Sequence, residues 1–362
     1  MKLRHITLTA LLFAMTIATG QDKINAEFNS EAWEIEAKNY EFKAYKGKQA
    51  LFLDQGKARL KNSSFKNGII EYDISFEQAR NFAGVHFHIQ NELNYEEYYL
   101  RPHQSGNDDA MQYTPVINGN AGWQLFSGAG YWSPIAFNFG EWMHVKLIVS
   151  DDKMDVFIND MEKPTLHVSE LKLGRTTGSL GFGTFLGAAY YTNLTYQEVG
   201  KPILVSEIKK TAKNDPNVIT DWTVSKAFPE TNLNSVTSLK ELQMSIDKKM
   251  KVDGEGILNL SHVSKVSAAT NTVLAKFTID SEKEQLKRID FGYSDKVTVF
   301  VNGRPIYSGD NSFRSRDYRY LGSIGFFDTV HAALDRGNNE VVFAVSEKMG
   351  GWGLTAKILS QK

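Results

Sequence analysis

Apolar and polar residues alternate with a period of two along most of this chain, which is the pattern of half-buried β-strands. In the segment Trp142–Val149, every second residue from Met143 onward is apolar, while His144 and Lys146 point to the other side. The strands predicted in the first half are Ile69–Phe76, Phe82–Gln90, Tyr95–Arg101, Trp142–Val149 and Met154–Ile158, separated by Gly, Asn, Asp or Pro. This spacing predicts an all-β sandwich or jelly roll from Phe28 to about Val199.

The second half of the chain is also mostly β in pattern. Its predicted strands are Leu274–Ile279, Val297–Val301 and Glu340–Val345, and Asn302-Gly303 predicts a hairpin turn. The lysine-rich segment Ser238–Met250 is predicted to be a surface helix. A charged segment broken by Pro216 separates the two halves. We therefore predict two β-sandwich (jelly-roll) domains in tandem, at residues 21–203 and 221–362, joined by a linker at 204–220.

The N-terminus has the form of a targeting segment. Lys2 and Arg4 precede an apolar stretch from Ile6 to Thr19, and small residues follow at Ala18-Thr19-Gly20. This pattern predicts a signal peptide at residues 1–20 and hence a secreted or periplasmic protein, with a buried helix or an anchor as the alternative. No other run is apolar enough to cross a bilayer, so the mature chain has no predicted transmembrane segment.

Composition removes several kinds of chemistry. The 362 residues include no cysteine, which excludes disulfides, thiolate nucleophiles and Cys-ligated zinc. The formal net charge of −1 indicates neither a nucleic-acid partner nor an anionic membrane surface. The motifs of serine hydrolases, P-loop proteins, zinc proteases and dinucleotide-binding folds do not occur. Nothing in the sequence indicates the oligomeric state.

One predicted hairpin concentrates polar chemistry. A four-residue loop at 91–94 would pair Gln90 with Tyr95. The cross-strand pairs expected from that register are His88–Glu97, His86–Tyr99 and Gly84–Arg101. Alternation then places Val85, Phe87, Ile89 and Leu100 on the core side, and His86, His88, Glu97, Tyr99, Arg101 and His103 on the other side.

The polar side of this hairpin has the residue types that a sugar site needs. A sugar requires a flat aromatic surface for its C–H face and fixed donors and acceptors for its hydroxyls. The ligand-binding residues predicted on this basis are His86, His88, Glu97, Tyr99, Arg101, His103, Gln112, Tyr113 and Trp123. A polar network that holds two strands together beneath a loop is the alternative interpretation of the same residues.

Metal binding is a weaker hypothesis. His86 and His88 would lie ~6.6 Å apart on one face of a strand, with Glu97 or His103 as a third ligand. The loop Ser105–Asp109 could hold calcium through Asp108 and Asp109, although it has no EF-hand pattern and a solvated loop explains it as well.

The motifs Gly68–Ile74, Gly84–Phe87 and Trp142–Lys146 resemble the laminin-G-like and concanavalin A-like lectin/glucanase superfamily over residues 28–199. The segments Asp295–Gly303 and Gly350–Gly353 resemble galactose-binding-like β-sandwiches that accompany sugar hydrolases. The resemblance implies carbohydrate contact for both units, in a superfamily that includes lectins, binding modules and hydrolases.

The glucanases of that superfamily carry Glu, Asp and Glu at positions i, i+2 and i+4 of one strand. Glu71 and Asp73 match the first two positions, but Ser75 stands at the third, so the catalytic assignment does not carry over. The primary hypothesis is therefore a secreted carbohydrate-binding protein. The alternatives are a glycoside hydrolase or polysaccharide lyase using His88, Glu97 and Arg101, and a surface scaffold that binds other proteins.

Overall fold

A computed structural model describes residues 22–206, 215–234, 236–315 and 323–359. The predicted signal peptide at 1–20 lies outside the described residues, as does part of the predicted linker, at 207–214. The predicted all-β class is confirmed, because the described chain contains 23 strands and no α-helix. Four short 3₁₀ turns are present, at Pro102–Gln104, Glu230–Leu233, Leu239–Leu242 and Leu260–His262. No helix among the described residues is long and apolar enough to cross a membrane.

Residues 24–198 form one 13-stranded antiparallel sheet that curls back on itself. Its strands are β1 (Ile24–Asn25), β2 (Trp33–Tyr45), β3 (Lys48–Leu60), β4 (Gly68–Ser75), β5 (Phe82–Asn91), β6 (Asn94–Leu100), β7 (Met111–Ile117), β8 (Asn120–Ala121), β9 (Trp132–Ser133), β10 (Met143–Ser150), β11 (Lys153–Ile158), β12 (Leu166–Val168) and β13 (Ser179–Glu198). The five strands predicted in this half agree with β4, β5, β6, β10 and β11 to within one residue at each end.

The long strand β13 joins the two halves of this sheet. Its first part, up to Phe185, pairs with β5, and its last part, from Tyr190, pairs with β4. Strand β3 runs along the other side of β13, with a shift in register between Thr184 and Ala188. The β5–β6–β7 half and the β4–β10–β11 half therefore enclose one core, which contains Val85, Tyr98, Tyr72 and Val145. Each half keeps a second face turned away from that core.

The second unit is built from two sheets around its own core. Its strands are β14 (Asp221–Ser225), β15 (Ile246–Lys251), β16 (Leu258–Asn259), β17 (Thr272–Ser281), β18 (Gln285–Tyr293), β19 (Lys296–Val301), β20 (Arg304–Asp310), β21 (Asp328–Leu334), β22 (Gly337–Ser346) and β23 (Gly353–Leu359). One sheet has the order β15-β14-β17-β22-β19-β20 and the other β16-β23-β18-β21. Asn302 and Gly303, with φ of 50° and 81°, form the predicted hairpin turn between β19 and β20.

The predicted helix at Ser238–Met250 is wrong. Ser238 and Glu241 form a capping box, but it starts only one 3₁₀ turn, which ends at Gln243 in the left-handed region. The remainder becomes the edge strand β15, paired with β14. Partly buried Ile246 and Met250 pack against the core clusters, whereas the lysines between them stay mostly exposed, so packing outweighs the weak helical propensity of this segment.

Candidate functional site

The hairpin formed by β5 and β6 does not have the predicted register. Asn91 pairs with Asn94, so the loop is the two residues Glu92 and Leu93. Between Phe87 and Asn91 the strand bulges, and beyond the bulge the pairing is displaced. The observed pairs are Gly84–Tyr99, Val85–Tyr98, His86–Glu97 and Phe87–Glu96, in place of the predicted Gly84–Arg101, His86–Tyr99 and His88–Glu97.

The displacement begins at His88, which adopts a φ of 50°. This bulge turns the His88 ring away from His86 and places it 6.0 Å from the ring of core residue Phe65. His88 is fully buried, its Nε2–H donates to the carbonyl of Lys66 at 2.8 Å, and burial lowers its pKa to about 4. Ile89, predicted in the core, lies instead beside Gly181, which is the partner of His86 in β13. The proposed base and orienter, His88 and Glu97, are therefore on opposite sides of the sheet.

We call the outer surface of β5, β6 and β7 that carries His86, Glu97, Tyr99, Arg101 and Gln112 the hairpin face. Three of these residues, Tyr99, Arg101 and Gln112, form hydrogen bonds with one another. Arg101 donates to Tyr99 Oη at 3.2 Å, to Gln112 Oε1, and to both the carbonyl and the carboxylate of Asp109. Gln112 in turn donates to the carbonyls of Trp123 and Phe126 at 2.9 and 2.6 Å.

The alternative interpretation of these residues, a polar network beneath a loop, is the arrangement observed. Tyr99, Arg101 and Gln112 are 8%, 6% and 0% exposed, so the loop that contains Trp123 and Phe126 leaves them little surface for a ligand. In this arrangement the three side chains fix β6 and β7 against that loop, and their hydrogen bonding to a sugar stays a prediction.

The other predicted ligand residues are dispersed. Tyr113 lies in the core, where its hydroxyl donates to Glu96 at 2.7 Å, so it cannot contact a ligand on the hairpin face. The Trp123 ring is half-buried and stands 6.0 Å from the ring of Phe313 in the second unit. The His103 ring packs edge-on against Phe82 at 5.1 Å. Of the predicted set, His86 and Glu97 meet as a facing pair on adjacent strands.

His86 and Glu97 face each other on adjacent strands, with 3.5 Å between His86 Nε2 and Glu97 Oε2. Their side chains are 10% and 17% exposed. Burial lowers the pKa of His86 to about 3 and raises the pKa of Glu97 to about 7, so burial favours the neutral form of both groups. The ring of Tyr95 packs 4.7 Å from that of His86, and Lys57 lies over Tyr95 at 4.5 Å.

Glycine at position 183 makes room for this pair. A Cβ atom there would lie 2.3 Å from His86 Nε2, which is well inside van der Waals contact. Gly183 pairs with Gly84 in β5, so two neighbouring positions of the hairpin face carry no side chain. The His86 ring therefore lies directly over the backbone of Gly183, with Glu97 opposite it on the neighbouring strand.

The structure does not assemble the predicted metal ligands. His86 and His88 lie on opposite faces because of the bulge, and Asp109 is bonded to Arg101. Within the described ranges, no group of three or more His, Asp or Glu side chains is placed to hold a metal ion. Calcium binding by loop oxygens near Asp108 and Asp109 stays a prediction.

A second polar cluster lies on the outer surface of β4 and β10, which we call the His144 face and define by Glu71, Asp73, Trp142 and His144. His144 Nδ1–H donates to Asp73 Oδ1 at 2.7 Å, and His144 Nε2 lies 3.7 Å from Glu71 Oε1. Lys48 and Asn193 donate to the other oxygen of Asp73 at 2.6 and 2.7 Å. The side chain of His144 is 40% exposed, four times the exposure of His86.

Hydrogen bonding dominates the electrostatics of this cluster. Burial alone would raise the pKa of Asp73, but the hydrogen bonds from His144, Lys48 and Asn193 outweigh it and lower the pKa to about 2. The hydrogen bond to Asp73 raises the pKa of His144 despite partial burial. Both members of the pair are therefore stabilised in their charged forms.

Aromatic rings continue the His144 face toward the β2–β3 turn. Tyr45 and Tyr190 stack in parallel at 3.7 Å, and the Trp142 ring stands edge-on to Tyr45 at 5.5 Å. The ammonium group of Lys48 lies 5.3 Å from the centre of the Trp142 ring, linking the rings to Asp73. Tyr45, Trp142 and Tyr190 are all half-buried. This surface combines reachable rings with oriented donors and acceptors.

Sequence reasoning found the orientation of these residues but not their association. The sequence predicts that His144 points to the polar side of its strand, and Glu71 and Asp73 alternate with apolar residues in theirs. What joins them is the antiparallel pairing of β4 with β10, which places His144 directly opposite Asp73, 71 positions away in the sequence. The alternation of Trp142 and His144 on one side of β10 was the available signal.

No protein-family model and no curated protein matches the chain. Solved structures with partial similarity include the carbohydrate-binding module CBM66 from Bacillus subtilis, at 13% identity and a TM-score of 0.37, covering 46% of this chain and 96% of that one. A β-glucanase from Bacillus licheniformis has 8% identity and a TM-score of 0.36, covering 49% and 98%. A putative glycosyl hydrolase from Parabacteroides distasonis has 15% identity and a TM-score of 0.33, covering 49% and 100%. Similarity at this level carries no argument about function.

Proposed function

We propose that the first sandwich binds carbohydrate, and that the His144 face is the surface in contact with it. The observation that carries the proposal is the position of the Trp142 ring beside His144 and Asp73 on one outer surface. An indole ring supplies the apolar plane that a pyranose C–H face requires, and the imidazole and carboxylates supply fixed hydrogen-bonding groups. The hairpin face fits less well because Tyr99, Arg101 and Gln112 are committed to its internal network.

Calorimetric titration of the full chain with a panel of polysaccharides and oligosaccharides tests this proposal. We expect at least one glycan to bind, and Trp142→Ala to weaken that binding about tenfold, ~1.4 kcal/mol. His86→Ala is the matched control, because it alters the hairpin face of the same sandwich.

The controls also identify the alternatives. Binding that His86→Ala weakens and Trp142→Ala does not would move the site to the hairpin face predicted from sequence. The absence of binding to every glycan in a diverse panel would contradict the carbohydrate proposal itself.

A reaction on the sugar is the second candidate function. Asp73 holds His144 through Nδ1 and leaves Nε2 directed toward Glu71 and solvent, which is the arrangement of an oriented general acid, because the protonated form of His144 is stabilised. This dyad replaces the sequence-derived pair of His88 and Glu97. A reducing-end assay on the glycan that binds would show product release, and His144→Gln would abolish release while leaving binding measurable. Binding without any product release would restrict the protein to recognition.

Export of the protein is a further part of the proposal. A secreted or periplasmic location follows from the signal-peptide pattern at residues 1–20. N-terminal sequencing of the mature protein would test it, with a first residue close to Gln21 as the expected result.

A further inference from the structure

In the second unit, the start of β19 lies beside the ends of β20 and β22 in the same sheet. Lys296, at the start of β19, pairs with Asp310 at the end of β20 and with Ser346 at the end of β22. The residues one step beyond this row are Asp295, Asn311 and Glu347. Because neighbouring strands lie ~4.8 Å apart, this register brings the three residues side by side, although they are distant in sequence.

Each of these three residues is 2% exposed, and each side chain leaves one oxygen without a hydrogen-bond partner. Asp295 Oδ2 accepts the backbone N–H of Lys348 at 2.6 Å, and Glu347 Oε1 accepts that of Gly351 at 3.2 Å. The other oxygens, Asp295 Oδ1, Glu347 Oε2 and Asn311 Oδ1, have no hydrogen-bond partner. Three unsatisfied acceptors at neighbouring positions are unusual, because each buried group without a partner costs about 1–3 kcal/mol.

Burial and neighbouring acidic groups disfavour the charged forms of the two carboxylates in this row. Burial raises the pKa of Glu347 well above its usual range, and the neighbouring Asp295 raises it further. Burial also raises the pKa of Asp295, and the nearby Asp310 adds to that effect. Two ammonium groups act on Asp295 from a distance, those of Lys348 and Lys296, and Lys296 also donates to Glu230 at 2.8 Å.

We propose that Asp295, Asn311 and Glu347 bind a calcium ion at this end of the second unit. Carboxylate and amide oxygens are the ligands that Ca²⁺ prefers, and two carboxylates balance its charge. The ion would supply the partner that all three free oxygens lack. It would also tie together the ends of β19, β20 and β22. This site is distinct from the loop at Asp108 and Asp109, and it does not depend on the proposed carbohydrate function.

Thermal unfolding of the full chain after EGTA treatment, with and without added CaCl₂ at neutral pH, tests this proposal. We expect the midpoint to rise with calcium concentration, and equilibrium dialysis with ⁴⁵Ca²⁺ to give one ion per chain. Glu347→Gln and Asp295→Asn, which keep the side-chain shape, should abolish the rise, whereas Asp109→Asn should retain it. MgCl₂ should give a smaller rise, because Mg²⁺ requires a tighter octahedron and keeps its waters.

The dialysis on the unmodified protein keeps the proposal falsifiable if a variant fails to fold. No bound calcium would overturn it. A calcium response that both Glu347→Gln and Asp295→Asn preserve would also overturn it. Stability that increases on mild acidification but not with calcium would show that a shared proton satisfies the two carboxyl groups, which would overturn it as well.

Discussion

Two histidine–carboxylate pairs occupy the two outer faces of the first sandwich, and they titrate in opposite directions. In His86–Glu97 the closest nitrogen and oxygen are 3.5 Å apart, the histidine pKa falls to about 3 and the glutamate pKa rises to about 7. In His144–Asp73 the distance is 2.7 Å, the histidine pKa rises and the aspartate pKa falls to about 2. Both pairs join an imidazole to a carboxyl group, so their surroundings make the difference.

The number of hydrogen bonds that each carboxylate accepts decides whether its pKa is raised or lowered. Asp73 accepts hydrogen bonds from His144, Lys48 and Asn193, which together outweigh its desolvation. Glu97 has only the more distant charges of Lys57 and Arg101 to oppose burial, and these do not suffice. The hairpin face therefore disfavours charge on both members of its pair, whereas the His144 face favours charge on both members.

The largest expected loss of stability comes from breaking the His144–Asp73 pair. Asp73→Ala would leave His144, Lys48 and Asn193 without their shared acceptor. We expect a loss of about 2–3 kcal/mol in the free energy of unfolding, below the value for a fully buried pair because His144 and Lys48 are 40% and 35% exposed. Urea denaturation measures it. A loss under about 0.5 kcal/mol would mean that solvent replaces these bonds.

The next largest loss of stability is expected from adding a side-chain atom at Gly183, which packs against His86. Gly183→Ala places a Cβ where His86 Nε2 now lies, and the ring has little freedom because Tyr95 packs against it. We expect a destabilisation of about 2 kcal/mol. Gly200→Ala is the matched control, since a Cβ there meets nothing within 4 Å. Equal stability of the two variants would show that the His86–Glu97 pair is loosely packed.

A smaller effect is expected in the pH dependence of stability. The pKa of Glu97 rises from 4.5 to about 7 on folding, so its contribution to stability falls as pH rises through that window. The pKa of His86 falls from 6.5 to about 3, so its contribution increases with pH between those values and opposes that of Glu97.

Glu97→Gln removes the contribution of Glu97 to the pH dependence of stability and leaves that of His86. We expect the variant to gain stability relative to the unmodified protein as pH rises from 4.5 to about 7, by on the order of 1 kcal/mol. Denaturant unfolding across this range measures the difference. Parallel profiles for the two proteins would contradict a raised pKa at Glu97.

The smallest expected effect is on the titration of individual histidines, which NMR measures without unfolding the protein. Imidazole NMR of the folded protein should show His144 titrating above its usual value of 6.5 and His86 remaining neutral through mild acid. In Asp73→Asn the pKa of His144 should fall, because an amide oxygen at this position carries no negative charge to stabilise the protonated imidazole. Identical titration of the two histidines would remove the contrast between the faces.

The sequence predicted most of the β-strands well, but it predicted poorly which strands pair in which register and which side chains lie together. The predicted hairpin lost its register at a single residue, His88, whose left-handed backbone no alternation pattern indicates. The Ser238–Met250 helix failed because pairing with β14 outweighed local propensity. Calcium was predicted from adjacent aspartates in one loop. The better cluster of oxygens joins three strand ends that only the sheet register brings together.

The sequence by itself determined the all-β class and the strands around Tyr72, Val85 and Val145, because the period-two alternation that buries such residues is local and can be counted along the chain. Only the tertiary structure decided which polar residues share a surface and which of them solvent can reach. Bulges, strand partners and covering loops depend on residues far away in sequence. This is why Tyr99, Arg101 and Gln112 became part of a buried network while Asp73, Trp142 and His144 came together on an open face.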